Sequence, residues 1–117
     1  MTLQYRARWI EGFSFAMALF LLSSDLSALA DDTNPREMFA QGFYLLQNEQ
    51  PSKAVDKFEQ GLKVDPNNAE AHYYLGEAYR AMSRHEPAKE HYEKSLSIDA
   101  NSEVADNARK RLTDMRL

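Results

Sequence analysis

Sliding the chain against itself by 34 residues brings like onto like. Gly42 falls on Gly76, Ala54 on Ala88, Phe58 on Tyr92, Leu62 on Leu96, Val64 on Ile98 and Asp65 on Asp99. Six such coincidences at one offset seldom arise by chance. A fixed period of this size marks a solenoid, in which one supersecondary unit recurs and buries its apolar face on its neighbour. The period resolves into helices. Arg36 to Gln47, Lys53 to Val64, Ala69 to Met82 and Pro87 to Ile98 all carry apolar residues at helical spacing. Asp65-Pro66-Asn67-Asn68 ends one helix and caps the next, because Pro cannot continue the first and Asn is a good N-cap. Pro51-Ser52 and Glu86-Pro87 open the second helix of each pair, and Pro87 suits a first turn, where its missing N–H costs nothing. Asn101-Ser102 begins a last helix over 103–116. Val104, Ala108, Leu112 and Met115 form its apolar stripe, and Arg109, Lys110, Arg111 and Arg116 load its C-terminal end, where the helix dipole favours cations. The expected fold is all-α.

The residues then resemble the tetratricopeptide repeat. The second unit supplies Leu75-Gly76, Tyr79, Ala88, Tyr92 and Leu96, and the first supplies Gly42, Leu45, Ala54, Phe58, Leu62 and Pro66. Gly42 and Gly76, with Ala54 and Ala88, are small where helices cross closely, while Phe58 and Tyr92 fill the space between hairpins. Gln41, Gly61, Ser95, His72, Ser83 and Ala100 depart from the family pattern and are expected to loosen local packing without changing the fold. The resemblance implies repeats over 35–68 and 69–102 and a C-terminal capping helix over 103–117, after a short linker, 31–34.

Composition shifts near residue 31. Arg6 and Arg8 precede an apolar run of 11 residues, Gly12 to Leu22, and polar, small residues then lead to Ala28-Leu29-Ala30. A positive start, a short apolar middle and a small-x-small end make a cleavable secretory signal peptide over 1–30. A membrane-spanning helix needs about 20 apolar residues, and Glu11 and Asp25 bound this run on both sides. The mature chain is then expected to begin at Asp31 in the periplasm or outside the cell, so membrane contact is transient, through the signal alone.

Charge and residue types narrow the function. The net charge of −4 disfavours nucleic acid as a partner. With no cysteine there is no disulfide, no thiolate nucleophile, no Cys-based zinc site and no acylated lipoprotein anchor. His85 and His91 lie among Glu86, Glu90 and Glu93, but residues six apart on a helix face different ways, so a solvated charged face is the better reading than a metal site. His72 reads as a packing residue. No phosphate loop, nucleophile elbow or HExxH motif appears. The expectation is a protein that is not an enzyme and uses no cofactor.

By resemblance, the first helix of each hairpin lines a concave groove that holds a partner peptide or helix. Those positions are Arg36, Phe39, Phe43, Leu46 and Gln47, then Glu70, Tyr73, Glu77, Arg80 and Ala81. Repeats that grip an acidic C-terminus place Lys and Asn where Phe39 and Phe43 stand, so an apolar peptide or amphipathic helix fits better, with Arg36 and Arg80 as flanking anchors. Phe39, Phe43 and Leu46 follow i, i+4, i+7 and are expected to form one stripe opposite the packing face. Covering it would contribute roughly 4–9 kcal/mol gross, enough to mark an interaction site. The alternative is that the 31–35 segment or the last helix covers the stripe internally. Two repeats are fewer than the three usually needed for stability, which also favours a homodimer or a larger partner.

Overall fold

A computed structural model describes residues 33–116, so the expected signal peptide and its cleavage point lie outside the described residues. Five helices follow one another: α1 (Pro35–Gln47), α2 (Pro51–Val64), α3 (Ala69–Ala81), α4 (His85–Ile98) and α5 (Glu103–Met115). Helices α1 and α2 form one hairpin, α3 and α4 the next, and α2 packs on α3. Helix α5 packs on α4 and α3 and does not reach α1.

The 34-residue period is written in the caps. Asn34, Asn68 and Ser102 precede α1, α3 and α5. Their side chains accept hydrogen bonds from the backbone N–H of Arg36 (3.1 Å), Ala71 (2.9 Å) and Ala105 (3.2 Å) respectively. Each bond satisfies a donor that the first turn leaves open. Helices α2 and α4 start without a side-chain cap bond; Pro51 opens the former, and the latter begins at His85, ahead of the expected Glu86-Pro87.

The turns inside the hairpins match as closely. The N–H of Gln50 bonds the Leu45 carbonyl and that of Glu49 the Leu46 carbonyl, while Arg84 bonds Tyr79 and Ser83 bonds Arg80 in the same pattern. This double closure requires a left-handed residue just past the helix. Glu49 (φ 58°) and Ser83 (φ 59°) adopt it although neither is glycine. Glycine has no Cβ penalty there. Glu49→Gly and Ser83→Gly are each expected to stabilise the fold by roughly 0.5–1 kcal/mol, the gain being reduced by the looser unfolded chain. Thermal unfolding of the single and double variants measures it; a drop in melting temperature would refute the strain assignment.

The core runs between the hairpins. Ala54, Leu75, Ala78, Ala88, Tyr92, Ala105 and Ala108 are fully buried, and Phe58 is 1% exposed. Phe58 and Tyr92 project into the spaces that glycines leave open. A Cβ on Gly42 would lie 3.0 Å from the Phe58 ring, and one on Gly76 2.7 Å from the Tyr92 ring. Three departures from the repeat pattern do not loosen the packing as expected. The Phe39 ring occupies the place a Cβ would take on Gly61. Ser95 is wholly buried, and its hydroxyl donates to the Ala69 carbonyl at 2.8 Å. His72, 8% exposed, bonds the Pro66 carbonyl at 3.0 Å through Nε2. Buried polar atoms that keep a partner escape most of the cost of leaving water.

Helix α5 explains how the stack ends in water. By the shared register, Asp106, Arg109, Lys110 and Thr113 stand where α3 has His72, Leu75, Gly76 and Tyr79. All four are exposed, whereas their α3 counterparts are buried. The helix keeps Ala105 and Ala108 for packing and turns a polar face outward, as a capping unit must.

Candidate functional site

An open cleft of about 260 Å³ lies between the first helices of the two hairpins. Phe39, Ala40 and Phe43 of α1 form one wall. Glu70, Ala71 and Tyr74 of α3, with Asn68 before it, form the other, and Phe58 of α2 lies at the base. The Phe43 and Tyr74 rings meet edge to face, 5.0 Å between centroids at 71°, an arrangement that places a positive ring edge on a negative face. Phe43 stays 38% exposed.

The structure places the sequence-predicted groove residues in different surroundings. Phe43 and Glu70 line the cleft, and Arg36 and Gln47 are exposed on α1. Phe39 lines the cleft too, yet its ring is half-covered and seated on Gly61; Leu46 is likewise partly buried against the core. The three apolar residues therefore do not form a free stripe opposite the packing face. Helix α2 takes Phe39, because Gly61 leaves a hollow there. Tyr73 is not a surface residue at all. It is 8% exposed, packed 5.8 Å from the Tyr92 ring and 5.2 Å from the Tyr74 ring. Tyr74, the next residue, faces the cleft instead, which sequence reasoning missed; an aromatic pair on a helix leaves the choice of face to a rotation of about 100° per residue.

Glu77 and Arg80 come together with a residue that the repeat resemblance did not name. Arg111 of α5 holds Glu77 through two bonds, Nε to Oε1 at 2.9 Å and Nη2 to Oε2 at 3.2 Å. Arg80 adds a bond to Oε2 at 3.2 Å, and the Tyr92 hydroxyl donates to Oε1 at 2.5 Å. Burial alone would raise the Glu77 pKa. The Arg80 and Tyr92 bonds and the two guanidinium charges outweigh it and hold the carboxyl below its ordinary value. Burial, then the bond to Glu77, drives the Tyr92 phenol up. Since Arg111 stands 34 residues after Glu77 with opposite charge, the repeat register was a signal for this pair. The carboxylate is thus saturated from within the fold, and it ties α3, α4 and α5 together rather than waiting for a ligand. Beside it a second open cleft of about 390 Å³ is lined by Arg80, His85, Arg111, Asp114 and Met115.

His85 and His91 do not converge. His85 is exposed on that second cleft, while His91 is half-buried and turns to His72, Nδ1 to Nδ1 at 3.1 Å. Among the described residues no group of three or more His, Cys, Asp or Glu side chains is placed to hold a metal ion.

Comparisons with known proteins agree with this architecture. The family model described as tetratricopeptide repeat matches residues 45–112. A curated relative, the probable UDP-N-acetylglucosamine–peptide N-acetylglucosaminyltransferase SPINDLY of Hordeum vulgare, is 33% identical over 91 residues, 78% of this chain. The match spans only 9% of that enzyme's length. Among solved structures, MamA superposes with a TM-score of 0.60 at 22% identity, covering 75% of this chain and 60% of its own, which is a likeness of fold. With the family model covering more than half of the sequence and five helices in its register, the chain belongs to the tetratricopeptide-repeat family.

Proposed function

We propose that this chain is an exported, non-catalytic docking module that holds an apolar peptide or an amphipathic helix of a partner protein between α1 and α3. The observation that carries this reading is Phe43. It remains 38% exposed in a concave cleft whose opposite wall offers the Tyr74 ring. Tetratricopeptide repeats serve generally as protein-interaction modules, and a preformed apolar cleft edged by polar residues is where such contact concentrates. Glu70 lies on its rim. The apolar area left to cover is smaller than the sequence suggests, because Phe39 and Leu46 already rest on the core. Full burial of one large apolar side chain contributes roughly 1.5–3 kcal/mol, so a partner needs further contacts to offset the cost of ordering. Export rests on the signal pattern at 1–30.

The test is cross-linking and recovery of the tagged protein from envelope extracts, compared with Phe43→Ser and with Tyr44→Ser. Tyr44 is 66% exposed and lies outside the cleft lining, so it serves as the control. We expect Phe43→Ser to reduce partner recovery about ten-fold or more, the effect of losing roughly 1.5 kcal/mol, with unchanged helicity, while Tyr44→Ser leaves it intact. Equal recovery in all three would end the cleft reading. Mass spectrometry of the recovered chain checks export separately: it should begin at Asp31.

A further inference from the structure

The His72–His91 pair has a geometry that docking does not require. The two Nδ1 atoms are 3.1 Å apart, the ring centroids 5.3 Å, and the planes are inclined by only 18°. The centroid separation is close to the nitrogen separation plus one ring radius at each end. The nitrogens therefore point at one another nearly along the line joining the rings, which is hydrogen-bond alignment and not face-to-face stacking. The tautomers follow. Nε2 of His72 lies 3.0 Å from the Pro66 carbonyl, which can only accept, so Nε2 carries a hydrogen. With His72 neutral, its Nδ1 is a bare acceptor, and His91 donates to it from Nδ1. One hydrogen fits between the rings. Only when both rings are protonated does N–H face N–H, and the contact is then lost.

The surroundings keep both rings neutral near neutral pH. Burial is the largest cause, lowering His91 to about 4 and His72 below its ordinary value. On α4, Lys94 opposes protonation of both rings, and Glu90 partly compensates at His91. From α2, Glu59 acts on His91 in the same sense as Glu90, and it also accepts the Tyr79 hydroxyl at 2.8 Å. From α3, the Tyr79 ring lies parallel to His91 at 5.6 Å and carries Arg84 5.1 Å from its centre.

The chain Pro66–His72–His91 crosses from the turn between the repeats, through α3, to α4. We infer that it is an acid-released latch: at neutral pH it holds the junction between the two hairpins, and protonation of the exposed imidazoles in an opened form frees it. The opened form binds protons more tightly, since its rings regain ordinary values near 6.5. Latching is therefore complete above about pH 6.5 and weakens as pH falls toward 4, the lowered value of His91. Because His91 is only half-buried, solvent screening trims the effect, and the latched-to-open ratio falls by about 10- to 100-fold across that window. The turn also bears Asn68, and Ala71 follows in the first turn of α3, both on the cleft wall. The latch itself does not depend on the docking reading.

Nitrogen-15 histidine NMR and amide hydrogen exchange on the 117-residue chain test it. At neutral pH the expected spectrum shows His72 protonated at Nε2, His91 at Nδ1, and a scalar coupling across the Nδ1–Nδ1 contact. On acidification, exchange at Asn68 to His72 and along the first half of α4 should rise about 10- to 100-fold ahead of global unfolding. His91→Gln keeps a side-chain donor but cannot titrate, and should flatten that response; His85→Gln, an exposed site, should not. Absence of the coupling with both rings titrating near ordinary values would overturn the latch. So would an unchanged acid response in His91→Gln, or exchange that rises only through global unfolding.

Discussion

Truncating Tyr92 to alanine is expected to cost about 3–5 kcal/mol of folding stability, and Phe58→Ala a similar amount, as for other large buried aromatics. Both rings are essentially inaccessible to water. Each is pressed against the glycine of its own hairpin, Phe58 on Gly42 and Tyr92 on Gly76, so neither site can close by collapse of a flexible neighbour. A domain of this size holds roughly 5–15 kcal/mol in total, so either truncation removes a large share. Tyr92 has a second role. Tyr92→Phe keeps the ring and deletes the hydroxyl that donates to Glu77, and should cost about 1 kcal/mol, the net worth of one hydrogen bond, because Arg80 and Arg111 still hold the carboxylate. Urea unfolding followed by circular dichroism separates the two effects. A Tyr92→Ala variant that loses less than Tyr92→Phe is expected to lose would show that the ring does not plug the hairpin.

Gly76→Val should be the most damaging single added side chain, by roughly 3 kcal/mol, the upper part of the range for overpacked cores. The new Cβ would stand 2.7 and 2.8 Å from two Tyr92 ring atoms and 3.2 Å from the Ala88 carbonyl oxygen. Tyr92 is fully enclosed and cannot turn aside, and the backbone of α4 must shift instead. Gly61→Ala makes an instructive contrast. Its Cβ would come closer still to its neighbour, the Phe39 ring. Phe39 is only partly buried and can swing out, and alanine adds about 1 kcal/mol of helix propensity over glycine, so the net change should be small. The ring would then move into the cleft and narrow it. Denaturant titration of both variants measures the difference; equal losses would mean that enclosure of the neighbouring ring does not decide the outcome.

Much of the architecture is legible in the sequence. The 34-residue recurrence located both hairpins, and Asn68 and Ser102 were readable as helix starts because cap and turn chemistry is local. Gly42 and Gly76, with Ala54 and Ala88, marked the close helix crossings by their small size, while the seating of Phe58 and Tyr92 on the glycine of their own hairpin came from the structure. The site was less legible. Of the expected residues, Phe43 and Glu70 line the cleft between α1 and α3. Phe39 and Leu46 turned out to be shared with the core, Tyr73 to be inside it, and Tyr74 to be the aromatic that faces the cleft. Periodicity assigns a residue to one side of a helix, but neighbouring sides differ by less than the width of an aromatic ring.

What the sequence by itself determined is whatever depends on residues close along the chain: helix limits, caps, turns and the repeat that orders them. Only the tertiary structure decided which side chains remain uncovered and which charges are already paired. Gly61 draws Phe39 inward, and Arg111 neutralises Glu77 from a helix 34 residues away. His72 bonds His91 rather than His91 pairing with His85. Each of these depends on how much room a neighbouring helix leaves, and that room is set by packing between elements rather than by the local preferences of either one.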